Sequence, residues 1–151
     1  MNAEKNNTCI STEYPQVTPN MTVLIPIISK KENNPEFLEK ATQGQHHVFL
    51  LAIMDTGAVA KNFGFATSEI GHGNELIEEI KYTLKAKKIE LSDVLEWGDT
   101  HQQIINYAKL KKTKKVALIK QENKYFKDLV KDLKEQGFEV ELFEPEQKPK
   151  Q

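Results

Sequence analysis

The chain has 151 residues, with 21 basic against 22 acidic and a formal net charge of -1, a length that suits one domain and leaves little room for two. Every basic residue is a lysine, and without arginine's planar fork a balanced charge argues against dedicated nucleic-acid binding. The longest apolar run, Val48 to Met54, has seven residues against the roughly 20 needed to cross a bilayer.

Residues 1–20 are polar and carry Pro15 and Pro19, so they read as an N-terminal tail with no secretory signal expected. The single cysteine, Cys9, allows no internal disulfide and fits a reducing, cytoplasmic setting. Thr22 to Ile28 is a β-branched run interrupted only by Leu24 and Pro26, the pattern of a strand buried on both faces. Asn34 is placed to cap a helix that starts with Pro35 and Glu36, buries Phe37, Leu38 and Ala41, and ends at Gly44. His47 to Met54 is a second buried strand. The stretch Asp55 to Asn74 holds Gly57, Gly64, Gly71 and Gly73 and reads as a long loop, with a short helix possible over Ala58 to Phe65.

Leu76, Ile77, Ile80 and Leu84 recur at helical spacing, which predicts a helix from Glu75 to Lys87. Leu91 to Trp97 is a third strand. Gly98-Asp99-Thr100 turns into a further helix with Thr100 and Gln103 at capping-box spacing and Ile104, Ile105 and Ala108 inward. Lys115 to Ile119 is a fourth strand. Phe126, Leu129, Val130 and Leu133 define a last helix closed by Gly137, and Phe138 to Phe143 alternates apolar with acidic residues as an edge strand does. Residues 145–151 form a second polar tail. Strands alternating with helices imply right-handed crossovers and a Rossmann-like α/β domain over residues 21–144: a three-layer sandwich around a parallel sheet. Ligands of such sheets sit beyond the carboxyl ends of the strands.

With these elements in place, the core from Thr22 to Glu144 resembles the universal stress protein family. The likeness rests on Val23-Leu-Ile-Pro-Ile-Ile-Ser29, on Leu95-Glu-Trp-Gly-Asp-Thr-His-Gln-Gln-Ile-Ile-Asn-Tyr-Ala108, and on Lys115-Val-Ala-Leu-Ile119. The resemblance implies five parallel strands in the order 3-2-1-4-5 and a homodimer paired through the last strand, Phe138 to Phe143. It also implies a nucleotide crevice, whose candidate residues here are Ile28, Ser29, Lys30, Gly98, Lys120 and Gln121.

Two departures bear on that crevice. Members that bind ATP carry an aspartate where this chain has Ile28. They also carry a Gly-x-x-Gly…Gly-Ser/Thr loop after the fourth strand, where bare backbone N–H groups approach the phosphates. This chain reads Ile119-Lys-Gln-Glu-Asn-Lys-Tyr125, with no glycine between Gly98 and Gly137. The expectation is therefore a regulatory or interaction module without ATP as a cofactor. The alternative is a nucleotide-binding stress protein that uses Ser29, Lys30 and Lys120.

His46, His47, His72 and His101 lack structural-zinc spacing, so no metal site is expected. Asp55 and Asp99 stand at strand ends and form the one carboxylate pair suited to hydrolysis. Each also has a simpler reading as a turn or cap residue, so no catalytic residue is assigned. The lysine runs Lys85 to Lys88 and Lys109 to Lys115 lack interleaved aromatics and read as solvated helix ends.

Overall fold

The computed structural model describes residues 21–57 and 63–144; the two expected tails, and Ala58 to Asn62 of the short helix, lie outside them. In chain order the elements are β1 (Thr22–Ile27), a 3-10 turn (Lys30–Glu32), α1 (Pro35–Thr42), β2 (His47–Asp55), β3 (Phe65–Ala66), a second 3-10 turn (Thr67–Glu69), α2 (Ile70–Leu84), β4 (Glu90–Gly98), α3 (Thr100–Lys111), β5 (Lys115–Ile119), α4 (Lys124–Glu135) and β6 (Glu139–Phe143).

Every described strand pairing is parallel. The long strands run β4-β2-β1-β5-β6, and the two-residue β3 adds a sixth by pairing with Met54 and Asp55 at the end of β2. The sheet thus has one strand more than the five expected. It forms where β1 stops opposite Ala52 and leaves the last residues of β2 without a neighbour on that side. Gly64 continues the link by donating its N–H to the Ile28 carbonyl at 2.7 Å.

The β-branched runs of β1 and β2 are buried because the sheet is covered on both faces. On one face α1 and α2 pack Phe37, Leu38, Leu76, Ile77 and Ile80 against Val23, Ile25, Val48 and Leu50. On the other, α3 and α4 pack Ile104, Ala108, Phe126, Leu129 and Leu133 against Leu24, Phe49, Leu51 and Leu118. The alternation of β6 follows this division. Phe138 and Val140 pack toward α3 and α4, while Phe143 reaches the opposite core and lies 5.7 Å from the ring of Phe37.

Helix boundaries depart from the sequence expectation where glycine is involved. α2 begins at Ile70, five residues ahead of the expected Glu75, and ends at Leu84 rather than Lys87. Its glycines are the reason: glycine reads as a helix breaker in a local count, yet a Cβ on Gly73 would stand 2.8 Å from Met54 Cε. The helix packs closely on β2 there, with Gly73 against the flexible end of the Met54 side chain. The expected loop from Asp55 to Asn74 is accordingly replaced, after Gly64, by strand, turn and helix.

Gly64 shows a second use of glycine. Its φ of +97° is unfavourable for any side chain, and a Cβ would collide with the buried Thr100 Oγ1. We expect Gly64→Ala to cost about 2 kcal/mol or more, read as a fall in the urea midpoint with an unchanged slope.

Candidate functional site

The carboxyl edge of the sheet is where the sequence directs the search, and local caps shape each of its segments. After β1, Ser29 opens the first 3-10 turn with a reciprocal capping box. Its backbone N–H donates to Glu32 Oε1 at 2.8 Å, and its hydroxyl donates to the same oxygen at 3.0 Å. Lys31 N–H in turn donates to Ser29 Oγ at 3.2 Å. Glu32 is 1% exposed. Burial pushes its carboxyl up to about 8, against the lowering effect of its hydrogen bonds to Ser29. A neutral acid therefore sits beside the central strand, next to the end of β5.

At the far side of β2, Asp55 ties three segments together. One oxygen accepts from Gly57 N–H at 2.8 Å. The other accepts from Thr100 N–H at 2.9 Å and from the Thr100 hydroxyl at 2.6 Å. The expected capping box on α3 moves by one residue in consequence. Asp99 is the cap, accepting from Gln102 N–H at 2.8 Å, and Thr100 is the first helical residue with its hydroxyl committed to Asp55. Gln103 reaches back to the Trp97 carbonyl at 3.1 Å instead of closing the box. Asp55 and Asp99 do line one cleft, about 250 Å³, together with Phe63, His101 and Tyr125. Phe63 and Tyr125 stack at 5.8 Å, and His101 Nε2 bridges to Asp132 of α4 at 2.8 Å. That bond holds the Asp132 carboxyl below its usual range. The two carboxylates suited to hydrolysis thus line one cleft, but each already accepts backbone N–H groups, Asp55 from Gly57 and Thr100 and Asp99 from Gln102.

Five of the six candidate residues follow the adjacent strands β1 and β5, and Gly98 stands apart at the end of β4. Ile28 is fully buried among Leu24, Phe63 and Ile104, and its carbonyl is taken by Gly64. Ser29 is bound up with Glu32. Lys30 opens the 3-10 turn, and its side chain lies outside the described atoms. Gly98 ends β4, two strands from β1, with φ +143° and its carbonyl accepting from Thr56 N–H at 3.1 Å. A Cβ there would stand 2.7 Å from Gln103 Nε2. Lys120 gives its backbone N–H to the Phe143 carbonyl at 2.9 Å and its ammonium to Glu144 at 3.0 Å. That contact with Glu144 raises the lysine above its usual range. Gln121 accepts from Asn123 Nδ2 at 2.8 Å. Lys120 and Gln121 line a groove between α4 and β6, away from Gly98. Ile28 and Ser29 follow the central strand β1, whose neighbour β5 ends just before Lys120, so only Gly98 is separated from the others by an intervening strand.

Sequence reasoning passed over Glu32, although Ser29-x-x-Glu32 spells a capping box. It also passed over the partnership of Asp55 with Thr100, for which a separation of 45 residues offers no local signal. Among the described residues no group of three or more His, Cys, Asp or Glu side chains is arranged to hold a metal ion, and no helix is long and apolar enough to cross a membrane.

Helices on both faces of a parallel sheet whose strand order reverses at β1 define the doubly wound α/β class. Within that class the chain has the fold of the universal stress proteins. It superposes on the universal stress protein of Archaeoglobus fulgidus with a TM-score of 0.62 at 12% identity, over 87% of this chain and 98% of that one. A universal stress protein family member from Burkholderia pseudomallei gives 0.57 at 8% identity, over 85% and 98%. UspA of Lactobacillus plantarum gives 0.52 at 14% identity, over 82% and 96%. No protein-family model matches the sequence, and no curated protein does.

Proposed function

We propose that this chain is a regulatory or interaction module on a universal-stress-protein fold, acting in the cytoplasm in a stress-related role, and that it does not hold ATP through the phosphate loop usual in that family. The observation that carries this reading is the β5–α4 connection, Lys120 to Asn123. A phosphate nest needs successive N–H groups converging from alternating right- and left-handed backbone. None of these four residues has positive φ. The Lys120 N–H points into the sheet toward Phe143, and Asn123 Oδ1 already accepts from Phe126 N–H at 2.8 Å at the start of α4. Glu122 adds an exposed carboxylate beside the place a phosphate would take.

The second reading, a nucleotide held by Ser29, Lys30 and Lys120, keeps the central position of Ser29 in its favour. Against it stand the bonds of the Ser29 hydroxyl to Glu32 and Lys31, because a ligand would have to displace them.

Mass spectrometry of the small molecules released on denaturing protein purified without added nucleotide decides between the two. We expect no stoichiometric nucleotide and no heat of binding when ATP is titrated by calorimetry. Stoichiometric ATP or AMP would refute the interaction-module reading and make the Lys120 loop a new kind of phosphate site.

A further inference from the structure

The two lysine runs of the sequence meet at the amino edge of the sheet. Because every described strand pairing is parallel, the connections 43–46, 85–89, 112–114 and 136–138 all return to that edge. Together they carry Lys85, Lys87, Lys88, Lys112 and Lys114 and no carboxylate. The starts of β4 and β5 are separated by β2 and β1, which is three strand spacings or about 14 Å. Side chains span that gap. The Lys111 ammonium lies 5.8 Å from the ring centre of Phe49, Phe49 stacks on His47 at 4.2 Å, and His47 stands opposite Glu90 at the start of β4.

These lysines are more than complements to helix ends. A helix dipole favours cations only within its last turn, and Lys88 and Lys114 lie beyond the ends of α2 and α3. Lys112 takes φ +56°, a conformation in which glycine is the usual residue. Lys85, Lys88, Lys111, Lys112 and Lys114 are exposed, and none of them is ion-paired among the described residues. The nearby carboxylates are engaged: Glu39 with Lys87 at 2.8 Å, Glu90 with His47 at 3.7 Å and Asp132 with His101 at 2.8 Å. Glu135 and Glu139 remain, on the side of α4 and β6. Between Lys109 and Lys111, Leu110 is 71% exposed, and Tyr82 in the last turn of α2 is exposed as well.

We propose that this amino edge docks on an anionic lipid bilayer. The ammonium groups sit among the headgroup phosphates and carboxylates, and Leu110 enters the boundary with the acyl chains. Clusters of about four to eight lysines are what such a surface attracts. A bilayer fits this edge better than a nucleic acid does. Lysines are point charges without the fork that reads phosphates and bases bidentately, and an exposed aliphatic side chain offers a base no ring to stack on. The inference rests on the interaction-module reading and gives that module a lipid surface as its partner.

The test is co-sedimentation of the full chain with vesicles of phosphatidylcholine alone or with about 30% phosphatidylserine. We expect binding to the anionic vesicles only, and its loss as salt rises from about 0.05 to about 0.5 M. Changing Lys85, Lys88 and Lys114 together to glutamine should weaken binding at least about tenfold. The matched change of Lys31, Lys124 and Lys127, exposed near the carboxyl edge, removes the same charge. It should leave binding within about twofold, since charges beyond a Debye length are screened. Leu110→Ser should weaken binding severalfold with no change of charge.

Equal loss from the two lysine triples would overturn the proposal, because net charge and not this edge would then govern binding. So would no binding to anionic vesicles at about 1 mM lipid. Displacement from the vesicles by single-stranded RNA at equal phosphate concentration and about 0.15 M salt would overturn it too, since a nucleic acid would then hold the edge. Nucleotide bound to the purified protein would strike the interaction-module reading alone, because the vesicle measurement does not depend on it.

Discussion

Replacing Glu32 by glutamine will flatten the pH dependence of stability between about pH 4.5 and pH 8. The folded protein holds the Glu32 proton up to about pH 8, whereas the unfolded chain releases it near the ordinary carboxyl value of 4.5. Across that window the native state binds more protons than the unfolded state, so stability declines as pH rises. The stability associated with the neutral acid is fully present below 4.5, is lost progressively up to about 8, and changes no further above it. A displacement of this size corresponds to a loss on the order of 3–5 kcal/mol.

Glu32→Gln keeps an acceptor for the Ser29 N–H and hydroxyl and removes the ionisation, so the variant should match the parent near pH 5 and exceed it at pH 8. Urea denaturation of both proteins at pH 5, 6.5 and 8 checks this. Parallel stability curves for parent and variant would mean that Glu32 is ionised in the fold and the buried acid is not neutral. The neutral form suits the local geometry. Ser29 Oγ lies 3.0 Å from one carboxyl oxygen and 3.2 Å from the other, so a protonated carboxyl still shares hydrogen bonds with the hydroxyl, and no cation has to be buried beside it.

Asp55→Ala is the second large effect. The change strands the Thr100 N–H and leaves the Thr100 hydroxyl only the Phe63 carbonyl at 3.2 Å, in a place where Asp55 is 7% exposed and Thr100 is fully buried. Leaving buried donors without an acceptor costs about 1–3 kcal/mol, so we expect a loss of about 3 kcal/mol. Fast hydrogen exchange should appear at the Thr100 and Gly57 amides, while the β1 and β5 amides stay protected. Asp55→Asn keeps one acceptor oxygen and should recover about half of the loss. Equal loss in both variants would show that the charge, and not the acceptor geometry, secures the turn into α3.

Much of this architecture is legible in the residues themselves. The cores of β1, β2 and β5 are continuous β-branched or aliphatic runs, and α1, α3 and α4 announce themselves by inward residues at helical spacing. Asn34 and Gly44 mark the ends of α1 and Gly137 the end of α4, through an accepting side chain or a positive φ. Where local reading failed, the determinant came from elsewhere in the chain. α2 starts ahead of Gly73, which packs against the Met54 side chain of β2. The cap of α3 depends on Asp55, which recruits Thr100 and leaves Asp99 to cap.

The candidate site was less legible than the fold. Strand ends that look equivalent in sequence are separated by strand order, so Gly98 and Lys120 fall on opposite sides of the sheet's centre. Pattern counts also do not tell which polar side chains are already satisfied. Ser29, Asp55 and Lys120 are all plausible ligands by residue type, and the structure shows each of them engaged: Ser29 with Glu32, Asp55 with Thr100, Lys120 with Glu144.

By itself the sequence determined the alternation of strands and helices, the burial of the central strands and the absence of glycine from the β5–α4 connection. These follow from side-chain shape, periodicity and backbone freedom, which are properties of short stretches. Tertiary structure alone decided that Glu32 is buried beside Ser29 and that Asp55 joins the end of β2 to the start of α3. Burial and charge pairing depend on which distant segments meet, and only the folded chain brings them together.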